Sequence, residues 1–184
     1  MNADDPNAEL PAVAAIHNDG SCDVDRLLAE FATAQRGAGR RVLGLLMRQR
    51  DRDASCRAEM VLTDIDKGDD YLVSQPMGSG SQSCAADPQG FARASRVLRD
   101  ALAADPDLVI CNRYGSLEAE GGGFAAELLD LMSQGVPVLT AVSTRNLDAW
   151  IRFVGSAPLL PPQPQAWADW FDEVRRARAA SASR

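Results

Sequence analysis

Lysine is almost missing from this chain: among its nineteen basic residues only Lys67 is lysine, and His17 is its one histidine. Chemistry that needs a lysine beside a phosphate therefore has a single residue to draw on, and His17 has no partner pattern for acid–base work, so it reads as a loop residue. Cys22, Cys56, Cys84 and Cys111 lie far apart with no CxxC pair. That spacing excludes a zinc ribbon and a thioredoxin-type motif, and in a reducing compartment the four are thiols. No stretch is long and apolar enough to span a bilayer, and Met1 to Leu10 has neither the basic nor the apolar region of a signal peptide, so a cytoplasmic protein is expected. A concentrated basic face is missing as well. The formal net charge of −7 argues against nucleic acid and membrane as partners, and Arg175, Arg176, Arg178 and Arg184 read as a solvated tail.

What is present is ordinary globular composition, 46% apolar and 24% charged over 184 residues, enough for one domain with a sizeable core. Residues 1–10 are expected to be disordered, 11–155 to form an α/β domain, 156–180 a proline-rich linker and a helix packed on it, and 181–184 a tail. Pro11 to Ile16 reads as a strand, and Val24, Leu27, Leu28 and Phe31 as the stripe of a helix that Gly37 and Gly39 end. Arg41 to Met47 is a second buried strand before the charged loop RQRDRDAS. Ala58 to Ile65 and Tyr71 to Ser74 flank Asp66-Lys67-Gly68-Asp69, a hairpin added to an otherwise parallel sheet.

Met77 to Ala86 is a glycine- and serine-rich loop, and Asp87-Pro88 supplies a cap and a first-turn proline for a helix burying Phe91, Ala94, Leu98 and Leu102. Leu108 to Cys111 is a central strand, followed by a helix from about Phe124 to Ser133 and a strand from Pro137 to Val142. A short helix carries Leu147, Trp150, Ile151 and Val154 on one stripe. Pro158 to Pro164 breaks the chain before a last helix with Trp167, Trp170, Phe171 and Val174 on its apolar face. The alternation of strand and helix predicts a parallel sheet flanked by helices, a three-layer α/β sandwich.

In such a sheet the loops after the strands share one edge, where ligands bind. Four loops are candidates. Asp19, Gly20 and Ser21 precede a helix N-terminus, whose amides and dipole favour anions. Gly78, Ser79, Gly80 and Ser81 can form a backbone nest. After the central strand come Asn112, Arg113 and Gly115, the acids Glu118 and Glu120, and Gly121 at the head of three glycines. Arg145 and Asn146 follow the later strand, and the two arginines suit bidentate oxyanion binding. Each has a plainer reading: turn formation for the 17–23 loop, a flexible linker for 77–86, positive φ for the glycines. Cys22 beside the helix start lacks a visible base and is read as a plain thiol.

With CNRYGSLEAEGGGF, MGSGSQSCAADPQGF, CRAEMVLTDIDKG and PVLTAVSTRNLDAW, the chain resembles over roughly residues 11 to 155 a bacterial family of uncharacterised proteins. That family is described as nucleoside-triphosphatase-like and is often encoded beside molybdate-uptake genes. More distantly the order of elements is similar to the thermophile-type P-loop nucleoside triphosphatases, in which an apolar strand ends in Asp-Glu, followed by a glycine and a further glutamate. That resemblance implies a P-loop-NTPase-like fold. It puts the acidic pair on Asn112 and Arg113, the glycine on Gly115 and the later acid on Glu118. Asn112 cannot supply the charge that positions Mg²⁺, Arg113 cannot act as a general base, and HNDGSCDVD lacks GxxxxGK(S/T).

Three functions are consistent with these residues. One is a nucleotide-binding, regulatory relative of the P-loop enzymes with degenerate motifs, taking ATP or GTP with Mg; a weak triphosphatase using Glu118 or Glu120 is its variant. Another is a protein that binds a molybdate-type oxyanion through loop amides, Ser79, Ser81, Arg113 and Arg145 in molybdenum uptake or metabolism. The third is a protein-interaction module without a ligand. No metal ligands are assigned, a homodimer is compatible with each reading, and Cys56 and Cys84 leave a minor soft-metal or redox alternative.

Overall fold

The computed structural model describes residues 12–49, 59–76 and 84–182. The chain opens with β1 (Val13–Asn18), α1 (Val24–Gly37) and β2 (Val42–Gln49), followed by β3 (Met60–Asp64) and β4 (Asp70–Leu72). A small pair, β5 (Ser74–Pro76) and β6 (Cys84–Ala86), leads to α2 (Pro88–Ala103) and β7 (Leu108–Tyr114). Next come α3 (Ser116–Ala119), α4 (Ala125–Ser133), β8 (Val138–Ser143) and a 3₁₀ turn at Thr144–Asn146. The chain closes with α5 (Leu147–Val154), β9 (Leu159–Leu160) and α6 (Pro164–Ala182).

Local chemistry sets these boundaries. Asp23 caps α1 by accepting the Arg26 N–H at 3.0 Å, and Gly39 at φ +79 follows the helix end. Asp87 caps α2 by accepting the Gln89 N–H at 3.0 Å, with Pro88 at the first helical position.

Seven strands form one sheet in the order β4-β3-β2-β7-β8-β1-β9. The pairs β2·β7, β7·β8, β8·β1 and β1·β9 are parallel, whereas β2·β3 and β3·β4 are antiparallel, the expected hairpin on a parallel sheet. The central strands are buried on both faces, which is why Leu108–Cys111 of β7 is an unbroken apolar run and β8 is apolar apart from Thr140 and Ser143. Val109 and Cys111 point into a core with Leu98 of α2, Leu128 of α4 and Trp150 of α5. Leu108 and Ile110 point the other way, against Leu28 and Phe31 of α1 and Trp167 and Phe171 of α6. Three layers result, and Phe31 meets Trp167 edge to face with ring centroids 5.7 Å apart.

Three expectations need correction. Ile151 is 51% exposed, and Phe153 packs in its place beside Tyr114 and Trp150. The Pro158–Pro164 stretch is more than a break: Leu159 and Leu160 add a parallel strand to β1, with the Ala15 N–H donating to Pro158 O at 3.1 Å. The tail of the 77–86 loop is also ordered as a strand, since Cys84, Ala85 and Ala86 pair with Pro76, Gln75 and Ser74. Residues 1–10, the RQRDRDAS segment beyond Gln49, and Met77 to Ser83 lie outside the described residues. Among the described residues no helix is long and apolar enough to cross a membrane.

Candidate functional site

Because β7, β8 and β1 are neighbours and parallel, the loops after them meet at their C-terminal ends. Between them lies a cleft of about 210 Å³, lined among others by Asn18, Arg113, Gly115, Ser143, Arg145 and Asn146. Five of the residues expected at a site are therefore close to this edge cleft through their loops or line it directly: Asn112, Arg113, Gly115, Arg145 and Asn146. A cavity of similar size, about 200 Å³, opens between Arg41, Asp64 and Asp100, and it gathers none of them.

The end of β7 is irregular in a way that matters for the cleft. Cys111 pairs with Thr140 and Tyr114 with Val142, so three residues advance on β7 while two advance on β8. Asn112 and Arg113 share this extra-residue step, and Arg113 adopts φ +91, a conformation that costs a non-glycine residue about 1–3 kcal/mol. Strict alternation would send the two side chains to opposite faces. The bulge lets both reach the same acid on α1: Asn112 Nδ2 donates to Asp25 Oδ1 at 3.1 Å, and Arg113 Nη2 donates to Asp25 Oδ2 at 2.6 Å. Arg113 Nε adds a longer bond of 3.4 Å to Oδ1. The Asp25 side chain is 9% exposed and that of Arg113 44%, so the pair bridges the interior and the cleft. Asn112 Oδ1 is buried with no hydrogen-bond partner among the described residues.

The β1–α1 loop has spent part of its anion-binding capacity on itself. The Gly20 N–H donates to Asn18 Oδ1 at 3.2 Å and the Ser21 N–H to Asp19 Oδ1 at 2.9 Å, while Asp23 occupies the Arg26 amide. Bonds from the Ser21 side chain and backbone hold the Asp19 carboxyl below its usual range. With Asp25 just inside the helix, three carboxylates stand where a phosphate loop presents bare amides and a lysine. His17, expected in a loop, is instead the penultimate residue of β1, paired with Val142, and its Nε2 lies 3.0 Å from Thr144 Oγ1, tying the strand end to the 3₁₀ turn. That role was not legible in the sequence.

Glu118 and Glu120 have different surroundings. Glu118 is buried, its Oε2 accepting the Gly115 N–H at 2.8 Å and its Oε1 the Phe124 N–H at 3.0 Å. Those bonds hold the turn after β7 closed and leave the carboxylate engaged by the backbone. Glu120 is exposed, as is Gly121 at φ +82. Arg145 is exposed and has no ion-pair or hydrogen-bond partner among the described residues, which makes it the freest cation at the cleft. Gly78, Ser79, Gly80, Ser81 and Cys56 lie outside the described residues, as does the side chain of Cys84. No group of three His, Cys, Asp or Glu among the described residues is placed to hold a metal ion.

Asp25, Asn18 and Ser143 are the residues that sequence reasoning missed. Asp25 did carry a signal: an acid at the position three before Leu28 and seven before Ala32 sits on the buried stripe of α1, where a charge requires a partner.

The mostly parallel seven-strand sheet flanked by helices, with its added hairpin, is an α/β fold of the P-loop-NTPase-like kind. The fold is similar over 94% of this chain and 98% of the other to a human cancer-related nucleoside triphosphatase, with a TM-score of 0.62 and 14% identity. Residues 13–170 match the family described as protein of unknown function (DUF2478), and the chain belongs to that family. It is also 38% identical over 174 residues to the molybdenum import ATP-binding protein ModC 2 of Bradyrhizobium diazoefficiens (strain USDA 110). That match takes in 94% of this chain but 19% of the relative's length.

Proposed function

We propose that this chain is a nucleotide-binding protein of the P-loop NTPase fold that binds without efficient hydrolysis and acts as a regulatory component. The carrying observation is the Asp25–Arg113 pair at the mouth of β7. P-loop enzymes place a lysine on the first helix and acids at the end of a core strand; here the acid is on α1 and the arginine on the strand, an inversion of charge. Mg²⁺ does not fit this donor set, because Asn112 is neutral, Arg113 is cationic and Asp25 is already engaged by both. Binding is another matter: Arg113 and Arg145 flank the cleft and can hold phosphate oxygens. The fold and the ATP-binding relative support the nucleotide reading.

A second reading has its own support. A cleft of about 210 Å³ is below the roughly 300–1,000 Å³ typical of pockets for larger ligands, and it suits a single tetrahedral oxyanion. The relative's name concerns molybdenum import, so molybdate is the oxyanion to try. Parallel calorimetry with ATP, GTP and sodium molybdate separates the two, and a Mg²⁺-dependent phosphate-release assay tests the absence of hydrolysis. Heat from the nucleotides that disappears in Arg145→Ala supports the first reading, and heat from molybdate alone supports the second. Silence from all three, or efficient turnover, would overturn the proposal.

A further inference from the structure

The side-on fork of a guanidinium, Nε together with one Nη, is a preferred grip for a planar carboxylate or a phosphate-like anion. In Arg113 that fork is already taken: Nη2 and Nε both donate to the Asp25 carboxylate, at 2.6 and 3.4 Å. Yet the same arginine lines the cleft and is 44% exposed, so an anion from solution has access to it. Asn112 Nδ2 donates to the same Oδ1 that Arg113 Nε reaches, and its own Oδ1 is buried with no hydrogen-bond partner among the described residues. The backbone is not at rest either, since Arg113 keeps φ +91 to make this contact.

We propose that Asp25 is a built-in competitor of the ligand: it occupies Arg113 in the free protein, and an oxyanionic group, free or carried on a nucleotide, binds by taking Arg113 from it. The inference rests on the reading of the cleft as an oxyanion site and concerns how that site is controlled. Two effects make the carboxylate oppose binding. It claims the donors that a bidentate oxyanion needs, and its own charge lies beside the incoming anion in partly buried surroundings where screening is weak. Arg145, on the neighbouring loop, carries no such internal partner among the described residues and is the group that first meets the ligand.

Calorimetric titration with sodium molybdate and, separately, with ATP is to be run on the full chain and on Asp25→Asn, Arg113→Ala and the double variant. Asp25→Asn keeps the shape and removes the charge, and it is expected to tighten binding by about tenfold, the scale of one charge-assisted hydrogen bond. Arg113→Ala is expected to weaken binding, and the double variant to recover only the part of that loss due to the unpaired Asp25 charge, staying weaker than Asp25→Asn alone. Equal or weaker binding by Asp25→Asn, with Arg113→Ala still impaired, leaves the site reading intact and overturns the competition; weaker binding in particular would make Asp25 a positioning residue for Arg113. Binding by neither the full chain nor Asp25→Asn overturns both. If Asp25→Asn does not fold, the Arg113 Nε–H resonance of the unaltered protein decides: saturating molybdate or ATP should shift it, and an unmoved signal in the presence of bound ligand refutes the competition.

Discussion

Gly123 lies so close to Glu118 that a Cβ built on the glycine would overlap the Glu118 carboxylate. The backbone of Gly123, at φ +54, also belongs to the left-handed region. Two independent demands thus fall on one residue, whereas Gly121 at φ +82 faces open space and meets only the conformational one. Gly123→Ala should cost about 2–4 kcal/mol, strain plus displacement of a buried acid, and Gly121→Ala about 1 kcal/mol. Urea unfolding of the two variants checks the difference, and equal midpoints would show that Glu118 is free to move.

The two glutamates after β7 should separate by the same measurement. Glu118→Gln keeps one acceptor but leaves a backbone N–H opposite an amide, so a loss of about 1–3 kcal/mol is expected. Exposed Glu120→Gln should stay within about 0.5 kcal/mol of the unaltered chain. Neither should change phosphate release in the presence of Mg²⁺ and ATP. A stable Glu118→Gln protein that has lost turnover would instead return the residue to chemistry.

Arg113 offers a test of backbone strain that is independent of its charge. Arg113→Ala and Arg113→Gly both delete the ion pair with Asp25, but only alanine must still carry φ +91. The glycine variant should be the more stable by about 1 kcal/mol, read from chemical denaturation of both. The reverse order would mean that the bulge relaxes once the guanidinium is gone.

Alkaline pH should weaken the fold through Cys111. Burial pushes its thiol well above the usual range, and the Glu118 and Glu127 charges push in the same direction. Below the ordinary thiol pKa of about 8.5 both folded and unfolded chains hold the proton, and the stabilisation is complete. Above it the unfolded chain loses the proton first, so stability should fall by about 1.4 kcal/mol per pH unit until the folded thiol also ionises. Tyr71 and Tyr114, raised by burial and neighbouring acids, add the same trend at higher pH. Unfolding curves between about pH 8 and 10 for the unaltered chain and Cys111→Ala should diverge, and parallel curves would contradict the assignment.

The sheet and its helices were legible because caps, glycines and apolar periodicity agree with the tertiary structure: Asp87-Pro88 starts α2, and the 66–69 turn joins β3 to β4. Short strands were not. Leu159-Leu160 sits among prolines, and Cys84–Ala86 in a glycine- and serine-rich stretch, so their pairing depends on the partner strand rather than on local preference. At the candidate cleft, the convergence of the loops and of Arg113 was legible from residue type and topology. The Asp25 contact was hidden because a one-residue bulge changes which face Arg113 addresses, and nothing in CNRYG announces it. Ile151 was misplaced for a related reason: a narrow stripe on a two-turn helix tolerates Phe153 as well as Ile151, and the Tyr114 and Trp150 rings select the former.

The two-residue strand β9 has a bearing on how this molecule meets copies of itself. It covers the outer side of β1, and Pro161 and Pro162 follow at once, removing the amides by which another strand would extend the sheet there. At the opposite border the three-residue β4 begins with Asp70, directly after Asp69. A second copy approaching that border brings the same acids against them. One border is thus shut by missing donors and the other guarded by like charge, so growth of the sheet from molecule to molecule is opposed at both ends.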